Sequence, residues 1–170
     1  MNKFPIESFA DLLSANLEFV SAFEDEHLTG TASKGLAIVT CMDSRINPLA
    51  VVGVKSGDAK ILRNAGARVT DDVLRTLVLA SYLLAVDRVL VMPHTDCRMA
   101  SGDEESIHAS IESKHGIDTR SVEFKMVTDQ RSALAADVAS IRAYSILPKK
   151  LVVAGAIFDV HTGKLEPVDC

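Results

Sequence analysis

The sequence contains no tryptophan, only 5 prolines and only 9 glycines among its 170 residues. It has no internal repeat and no low-complexity tract, so we expect neither a repeat array nor a disordered chain. Hydrophobic residues make up 48% of the chain and charged residues 24%, which is typical of one soluble domain with a sizeable core. We therefore predict a single domain over residues 1–170, with a leading helical arm at 1–28 and a core at 35–170.

Positive charge is also scarce, because 18 Lys and Arg compare with 23 Asp and Glu, for a formal net charge of −5. Without a broad positive field, nucleic acids and anionic membranes are not expected partners, and small molecules fit better. No stretch approaches the roughly 20 apolar residues of a membrane-spanning helix. The first residues lack the apolar run of a targeting peptide. We expect a cytoplasmic protein that acts on small molecules.

Cysteines are few and odd in number: Cys41, Cys97 and Cys170. They cannot all pair within one chain, and a chain of this length does not need disulfides for stability. Thiol or metal chemistry in a reducing compartment is therefore the better interpretation. Because Cys170 is the last residue of the sequence, we interpret it as a free thiol rather than a ligand.

Short β-branched runs alternate with segments of helical periodicity along the chain. Helical spacing is found near residues 71–84 and 131–144, and buried strands are predicted at 36–40, 59–62, 88–92 and 150–156. This alternation indicates right-handed βαβ units. We predict an α/β fold with a mainly parallel four-stranded sheet flanked by helices. A hairpin at 158–165 adds an antiparallel edge strand.

The first segment, residues 6–23, predicts an amphipathic helix with Ser8 available as its cap. Its apolar face carries Phe9, Leu12, Leu13, Val20 and Phe23. The helix precedes the first core strand and has no evident partner in the βαβ pattern. An apolar stripe of this size indicates an interface.

Two reactive groups follow predicted strands. Cys41 follows the first strand, and His94-x-x-Cys97 follows the third. Since ligand sites of such sheets lie beyond the carboxyl ends of the strands, the three side chains meet if these strands are neighbours. Thiolate and imidazole together favour Zn²⁺, and three protein ligands leave a fourth position, as in catalytic zinc sites. The alternative is a buried free cysteine beside a hydrogen-bonded histidine, which would also produce this pattern.

Asp43 and Arg45 follow Cys41 closely and are able to form an ion pair beside such a metal. A carboxylate held by Arg45 stays ionised and can accept a hydrogen bond from water at the metal. An unpaired Asp43 would instead occupy the open metal position. The alternative is an ordinary loop salt bridge, which is common and weak.

Three motifs carry a resemblance: CMDSR at 41–45, RNAG at 63–66 and HTDC at 94–97. In order and separation they resemble the motifs of the β-class carbonic anhydrases, in particular the short-chain subgroup, and the match spans about residues 36–165. The resemblance implies one Zn²⁺ per chain, with Cys41, His94 and Cys97 as its ligands. It also implies catalytic roles for Asp43 and Arg45.

Further expectations follow from the same resemblance. Residues 63–66 would form the loop beside the site, so that the substrate pocket includes Asn64, Ala65, Gly66 and Arg98. The protein would be a homodimer whose leading helix packs on the partner, or a tetramer of paired dimers. The activity would be reversible hydration of carbon dioxide to bicarbonate and a proton.

Two alternatives remain open, namely hydrolysis of carbon disulfide at the same site and a non-catalytic zinc-binding regulatory module. The chain departs from the common family pattern at Pro93 and Arg98, where glycine is usual. Its only glutamine is Gln130, so the glutamine that many members have before the first cysteine ligand is absent.

Overall fold

The structure is a computed structural model that describes residues 4–170. Across these residues five strands form one sheet in the order β2-β1-β3-β4-β5. The strands are β1 (Leu36–Cys41), β2 (Ala59–Asn64), β3 (Arg88–Met92), β4 (Val152–Phe158) and β5 (Leu165–Val168). The first four are parallel, and β5 is antiparallel to β4. The predicted fold class is therefore confirmed.

The predicted strands begin and end within about two residues of the observed ones. The largest difference is at β4, which starts two residues later than predicted and continues to Phe158. Its extension has a structural cause, because residues 155–158 pair with β5. Pro167 lies within β5, and an edge strand can accept a proline because only one side of that strand needs hydrogen bonds.

Five α-helices connect or precede the strands in the described part of the chain. They are α1 (Ala10–Ser21), α2 (Pro48–Val51), α3 (Asp71–Leu83), α4 (Glu104–His115) and α5 (Gln130–Ala143). Side chains cap four of them: Asn47 accepts from the backbone N–H of Ala50, Thr70 from that of Val73, Asp103 from that of Ser106 and Asp129 from that of Ser132.

The predicted cap at Ser8 is wrong. A 3₁₀ turn, Ile6–Phe9, leads directly into α1, which begins without a side-chain cap. The turn places Phe9 at the position where a capping side chain would be.

The sheet has a core on each face. One face packs against α3 and α5 through Val73, Leu77, Leu134, Val138 and Ile141, all buried. The other face carries a smaller cluster that contains Ile38, Cys41, Met92, Cys97 and Phe158. Thr40 is fully buried in β1 and donates from its hydroxyl to the carbonyl of Met92, so β1 and β3 are joined by a side chain as well as by the sheet.

α1 is separate from both cores, since every one of its residues is exposed. Its apolar side chains include Leu12, Leu17 and Val20, with exposed fractions of 60%, 73% and 61%. Phe19 and Phe23 contact each other, with ring centroids 5.6 Å apart. Among residues 4–170 no helix has both the length and the apolarity needed to cross a membrane.

His27, His108, His115 and His161 lie in polar segments of the sequence, which predicts surface positions for all four, and one of them differs. His27, His115 and His161 are exposed, as surface histidines should be, but His108 is buried. Its Nδ1 lies 2.8 Å from the Thr119 hydroxyl, and its ring lies 5.1 Å from that of Phe124. The interpretation of His108 as a surface residue is therefore wrong, because the segment after α4 folds back over the helix.

Candidate metal centre

The sheet order brings the three predicted ligands together. β1 and β3 are parallel neighbours with Thr40 paired to Met92, so Cys41 and the loop that follows β3 begin at the same edge of the sheet. The ligand atoms of Cys41, His94 and Cys97 all lie within 4.8 Å of one another, and all three residues are buried. Such a cluster has the size and the donor set of a zinc site.

The ring of His94 is oriented for a metal ion. Its Nδ1 lies 2.8 Å from the carbonyl oxygen of Thr95, which can only accept, so in the neutral ring Nδ1 carries the proton and Nε2 has a free lone pair. Nε2 is buried and has no hydrogen-bond partner among the described residues. A buried imidazole nitrogen without a partner is costly unless something binds it. The residues therefore fit a metal ion at this position.

The thiols of Cys41 and Cys97 lie in contact and shift each other's pKa in opposite directions. The hydrogen bond from Cys97 lowers the pKa of the Cys41 thiol against the opposing effect of burial, and contacts with His94 and the backbone N–H of Gly66 lower it further. The pKa of Cys97 is raised by its contact with Cys41 and by burial. A dication at the centre would stabilise both thiolates, because soft cations bind the deprotonated sulfur.

Asp43 and Arg45 form an ion pair at the edge of this cluster. Arg45 donates from Nε to Asp43 Oδ1 at 3.0 Å and from Nη2 to Asp43 Oδ2 at 2.8 Å, so the ion pair is bidentate. The same Oδ2 lies 3.8 Å from Nε2 of His94. Hydrogen bonds from the Arg45 side chain, followed by that from its backbone N–H, hold the pKa of Asp43 well below its usual range. The carboxylate is therefore ionised and faces the ligand cluster.

Asp96 also contributes to the site, and the sequence reasoning did not single it out. Arg45 donates from Nη1 to Asp96 Oδ2 at 2.8 Å and from Nη2 to the Asp96 carbonyl at 3.1 Å. Asp96 has a positive φ of 54°, a conformation that aspartate adopts more readily than most residues. Its position between His94 and Cys97, the two predicted ligands of the HTDC motif, was the only signal for it in the sequence. Asp96 ties the loop after β3 to the loop after β1.

The loop after β2 closes another side of the cluster. Arg63 donates to the carbonyls of Cys41 and Asp43 at 2.9 and 2.6 Å. Gly66 has φ of 80° in the 3₁₀ turn Ala65–Ala67, and its N–H lies 3.4 Å from Cys41 Sγ. The Asn64 amide is hydrogen-bonded on both sides to the backbone of Arg68. The loop therefore contacts the cluster through the backbone of Gly66 rather than through the side chain of Asn64.

Arg98 is exposed and directly follows Cys97, a predicted ligand. Its guanidinium forms no hydrogen bond or ion pair within residues 4–170. Cys170 is exposed and is not part of the cluster.

Fold and site together define an α/β protein with a buried cluster of two thiols and one imidazole that fits a metal ion, beside a carboxylate held by an arginine. Comparison with known proteins narrows this class to one family. The family model described as carbonic anhydrase matches residues 36–165. β-Carbonic anhydrase 1 of Mycobacterium tuberculosis is 36% identical over 161 residues, which cover 93% of this chain and 96% of that protein.

A solved structure of carbonic anhydrase from Streptococcus mutans superimposes with a TM-score of 0.89 at 33% identity, covering 99% of this chain and all (100%) of that one. A carbon disulfide hydrolase of Acidithiobacillus thiooxidans is 28% identical over 155 residues, covering 79% of this chain and 77% of that protein. The chain belongs to the β-carbonic anhydrase family. The resemblance stated from the three motifs is confirmed.

Proposed function

We propose that this protein is a zinc-dependent enzyme that reversibly hydrates carbon dioxide to bicarbonate and a proton. The observation that carries the proposal is the arrangement of Cys41, His94 and Cys97 within 4.8 Å of one another. The ionised carboxylate of Asp43 lies 3.8 Å from the His94 nitrogen. A purely structural metal site would need no such carboxylate.

Cys41, His94 and Cys97 would hold the metal. The unpartnered Nε2 of His94 and the low pKa of Cys41 support this assignment. Zinc at a site with three protein ligands supplies a nucleophile at neutral pH, because it lowers the pKa of water to about 7. The buried surroundings of the ligands strengthen their electrostatic interactions with a dication.

Asp43 and Arg45 would be the catalytic pair. Arg45 stabilises the ionised carboxylate and fixes its direction, so Asp43 can accept a hydrogen bond from the reacting water and orient it toward the substrate. Asp96 holds the guanidinium from its far side. If the pair opens, Asp43 is close enough to the cluster to become a ligand itself, which would give an inactive form.

Substrate would enter beside the loop of residues 64–66 and Arg98. The structure favours the backbone of Gly66 over the Asn64 side chain as the part of this loop that faces the substrate. The unpaired Arg98 would favour an anion such as bicarbonate near the exit. The assembled protein would be a homodimer, because α1 exposes its whole apolar surface in the single chain.

The test is stopped-flow hydration of carbon dioxide by protein whose zinc content has been measured, with and without a chelator. We expect one zinc per chain, and expect Cys41→Ser to lose both zinc and activity. Cys170→Ser is the matched control, because Cys170 lies outside the cluster, and it should keep both.

Equal zinc in the wild type and in Cys41→Ser would exclude Cys41 as a ligand. Zinc loss in Cys170→Ser would contradict our reading of that thiol. Zinc-loaded wild type that releases hydrogen sulfide from carbon disulfide, but does not hydrate carbon dioxide, would assign the site to the other reaction. Protein that binds zinc and does neither would be a non-catalytic module.

A further inference from the structure

We propose that Gln130 is a positioning residue that fixes the peptide carrying His94 and thereby sets the metal affinity of the site. The inference rests on the proposed function, because it assumes that His94 binds the metal. Gln130 is the only glutamine of the chain and is the first residue of α5. Its Nε2 donates to the backbone carbonyl of His94 at 2.7 Å.

The peptide between His94 and Thr95 is held at both of its polar ends. Its carbonyl, on His94, accepts from Gln130, and its N–H, on Thr95, donates to the carbonyl of Phe158 at 2.9 Å. Phe158 is the last residue of β4. One end of the peptide is therefore fixed by the sheet, and the other by a single side chain.

Rotation of this peptide would move the imidazole. The His94 ring donates from Nδ1 to the carbonyl of Thr95, the next carbonyl along the chain. The direction of Nε2 consequently depends on the backbone of both residues. Because His94 is fully buried, its carbonyl would have no partner among the described residues if Gln130 lost its amide, and the peptide would be driven to rearrange.

Gln130 itself is held by a rigid helix. Leu134 and Val138 of α5 are buried in the core, and Asp137 Oδ2 accepts a hydrogen bond from Nε of Arg68 at 2.7 Å. Arg68 follows the loop that carries Gly66, and Gln130, Gly66 and Cys97 line one small cavity. A polar group on an anchored helix positions a ligand more accurately than one on a mobile loop.

The test compares Gln130→Ala and Gln130→Glu with the wild type. Glutamate keeps the length of the side chain, but its ionised carboxylate can only accept and would face the His94 carbonyl with the wrong polarity. Zinc affinity is measured by competition with a chromophoric chelator. The cobalt-substituted proteins are compared by their visible absorption, which reports the ligand geometry directly.

We expect both variants to bind zinc about tenfold more weakly, with a shifted cobalt spectrum, since partners that orient ligands have effects of this order. Two controls separate positioning from stability. Arg131→Ala changes the next residue of α5, which pairs with Glu166 instead. Asp103→Ala removes the cap of α4 and lowers the stability of the fold without removing the Gln130 contact.

Both controls should keep wild-type affinity and spectrum. Wild-type affinity and spectrum in both Gln130 variants would overturn the proposal, and so would an equal loss in Asp103→Ala. These measurements do not use turnover. A wild type that binds zinc through His94 but does not hydrate carbon dioxide would therefore overturn the proposed function while leaving the positioning role of Gln130 standing.

Discussion

Among single residues, Arg45 joins the two loops that build the candidate site. Its guanidinium binds Asp43 on the loop after β1 and Asp96 on the loop after β3. The pair is partly exposed, with 43% of the Arg45 side chain and 20% of the Asp43 side chain accessible. Partly exposed ion pairs add little stability, so the value of this one lies in the geometry that it imposes.

The first prediction concerns this geometry. Arg45→Ala should leave zinc bound while carbon dioxide hydration falls about 100-fold or more, as for other lost acid–base groups. Removal of Arg45 raises the pKa of Asp43 from its lowered position toward about 3.9. Because this is still below neutral pH, Asp43 stays ionised, and the loss of activity would report the position of the carboxylate.

The measurement is hydration between pH 7 and pH 9 at matched zinc occupancy. Arg45→Lys is the matched variant, because it keeps the charge but loses the planar guanidinium. Its hydration activity should lie between those of the wild type and Arg45→Ala. Asp43→Ala should also lose activity with zinc bound. Near-wild-type rates in both Arg45→Ala and Asp43→Ala would show that the pair is only a loop salt bridge.

The second prediction concerns Gly66. A Cβ there would lie 3.0 Å from Cβ of Met99, and the backbone has φ of 80°. Gly53 has a similar φ of 66° but open space around it, so Gly53→Ala isolates the backbone strain. We expect Gly53→Ala to cost about 1 kcal/mol and Gly66→Ala about 2 kcal/mol or more. Thermal unfolding measures both.

Only Gly66→Ala should also lose zinc, because relief of the Met99 contact would shift the backbone N–H that donates to Cys41 Sγ. Equal stability and equal zinc content in the two variants would show that the Met99 contact is accommodated without effect on the site.

Among the elements, α1 differs most from the rest of the fold. It has 12 residues, none of them buried. Isolated helices of this length are marginal in water, and most helix stability in proteins comes from packing of an apolar face. Its persistence as a helix in solution therefore requires a surface that covers Leu12, Leu17 and Val20.

The third prediction is that deletion of residues 1–24 converts a dimer into a monomer without unfolding the core. The deletion keeps Leu28, whose side chain packs over Gly57. Sedimentation measures the mass, and circular dichroism checks the fold. As a full-length control, Leu17→Asp places a charge on the most exposed of these apolar side chains and should weaken the dimer. A stable dimer after the deletion would exclude α1 as the interface.

At the scale of the whole molecule, several carboxylates that contribute to the net negative charge accept local hydrogen bonds. These hydrogen bonds stabilise their ionised forms. The Ser33 hydroxyl, followed by the Lys55 backbone N–H, lowers the pKa of Asp58. Backbone N–H groups of His161 and Thr162 lower that of Asp159. A carboxyl group whose pKa is lower in the folded state stabilises the fold above its unfolded pKa, and this contribution is lost as pH falls through the folded pKa.

The fourth prediction follows for Asp58. Wild type should be more stable than Asp58→Asn at pH 6, and the difference should shrink between about pH 5 and pH 3 as the carboxylate takes up its proton. Urea unfolding of both proteins across this range measures the difference, and any pH effect common to both cancels. A difference that is independent of pH would show that Asp58 is not stabilised by its charged form.

The sequence by itself determined the strands, the starts of α3 and α5 to within one residue, and the identity of the donor groups. β-Branched runs such as residues 36–40 form strands wherever they are buried, and Asp103 caps the helix that follows it, because both effects depend on near neighbours. The same holds for the pairing of Asp43 with Arg45, which lie two residues apart.

Only the tertiary structure decided which distant groups meet. The order β2-β1-β3 brings Cys41 to His94 and Cys97, and the return of α5 to the sheet brings Gln130 to the His94 carbonyl. His108 lies in a polar segment of the sequence, and it is buried only because the segment after α4 folds over it. Such contacts depend on how the sheet is ordered and how loops fold back over it, and periodicity along one segment carries no information about either.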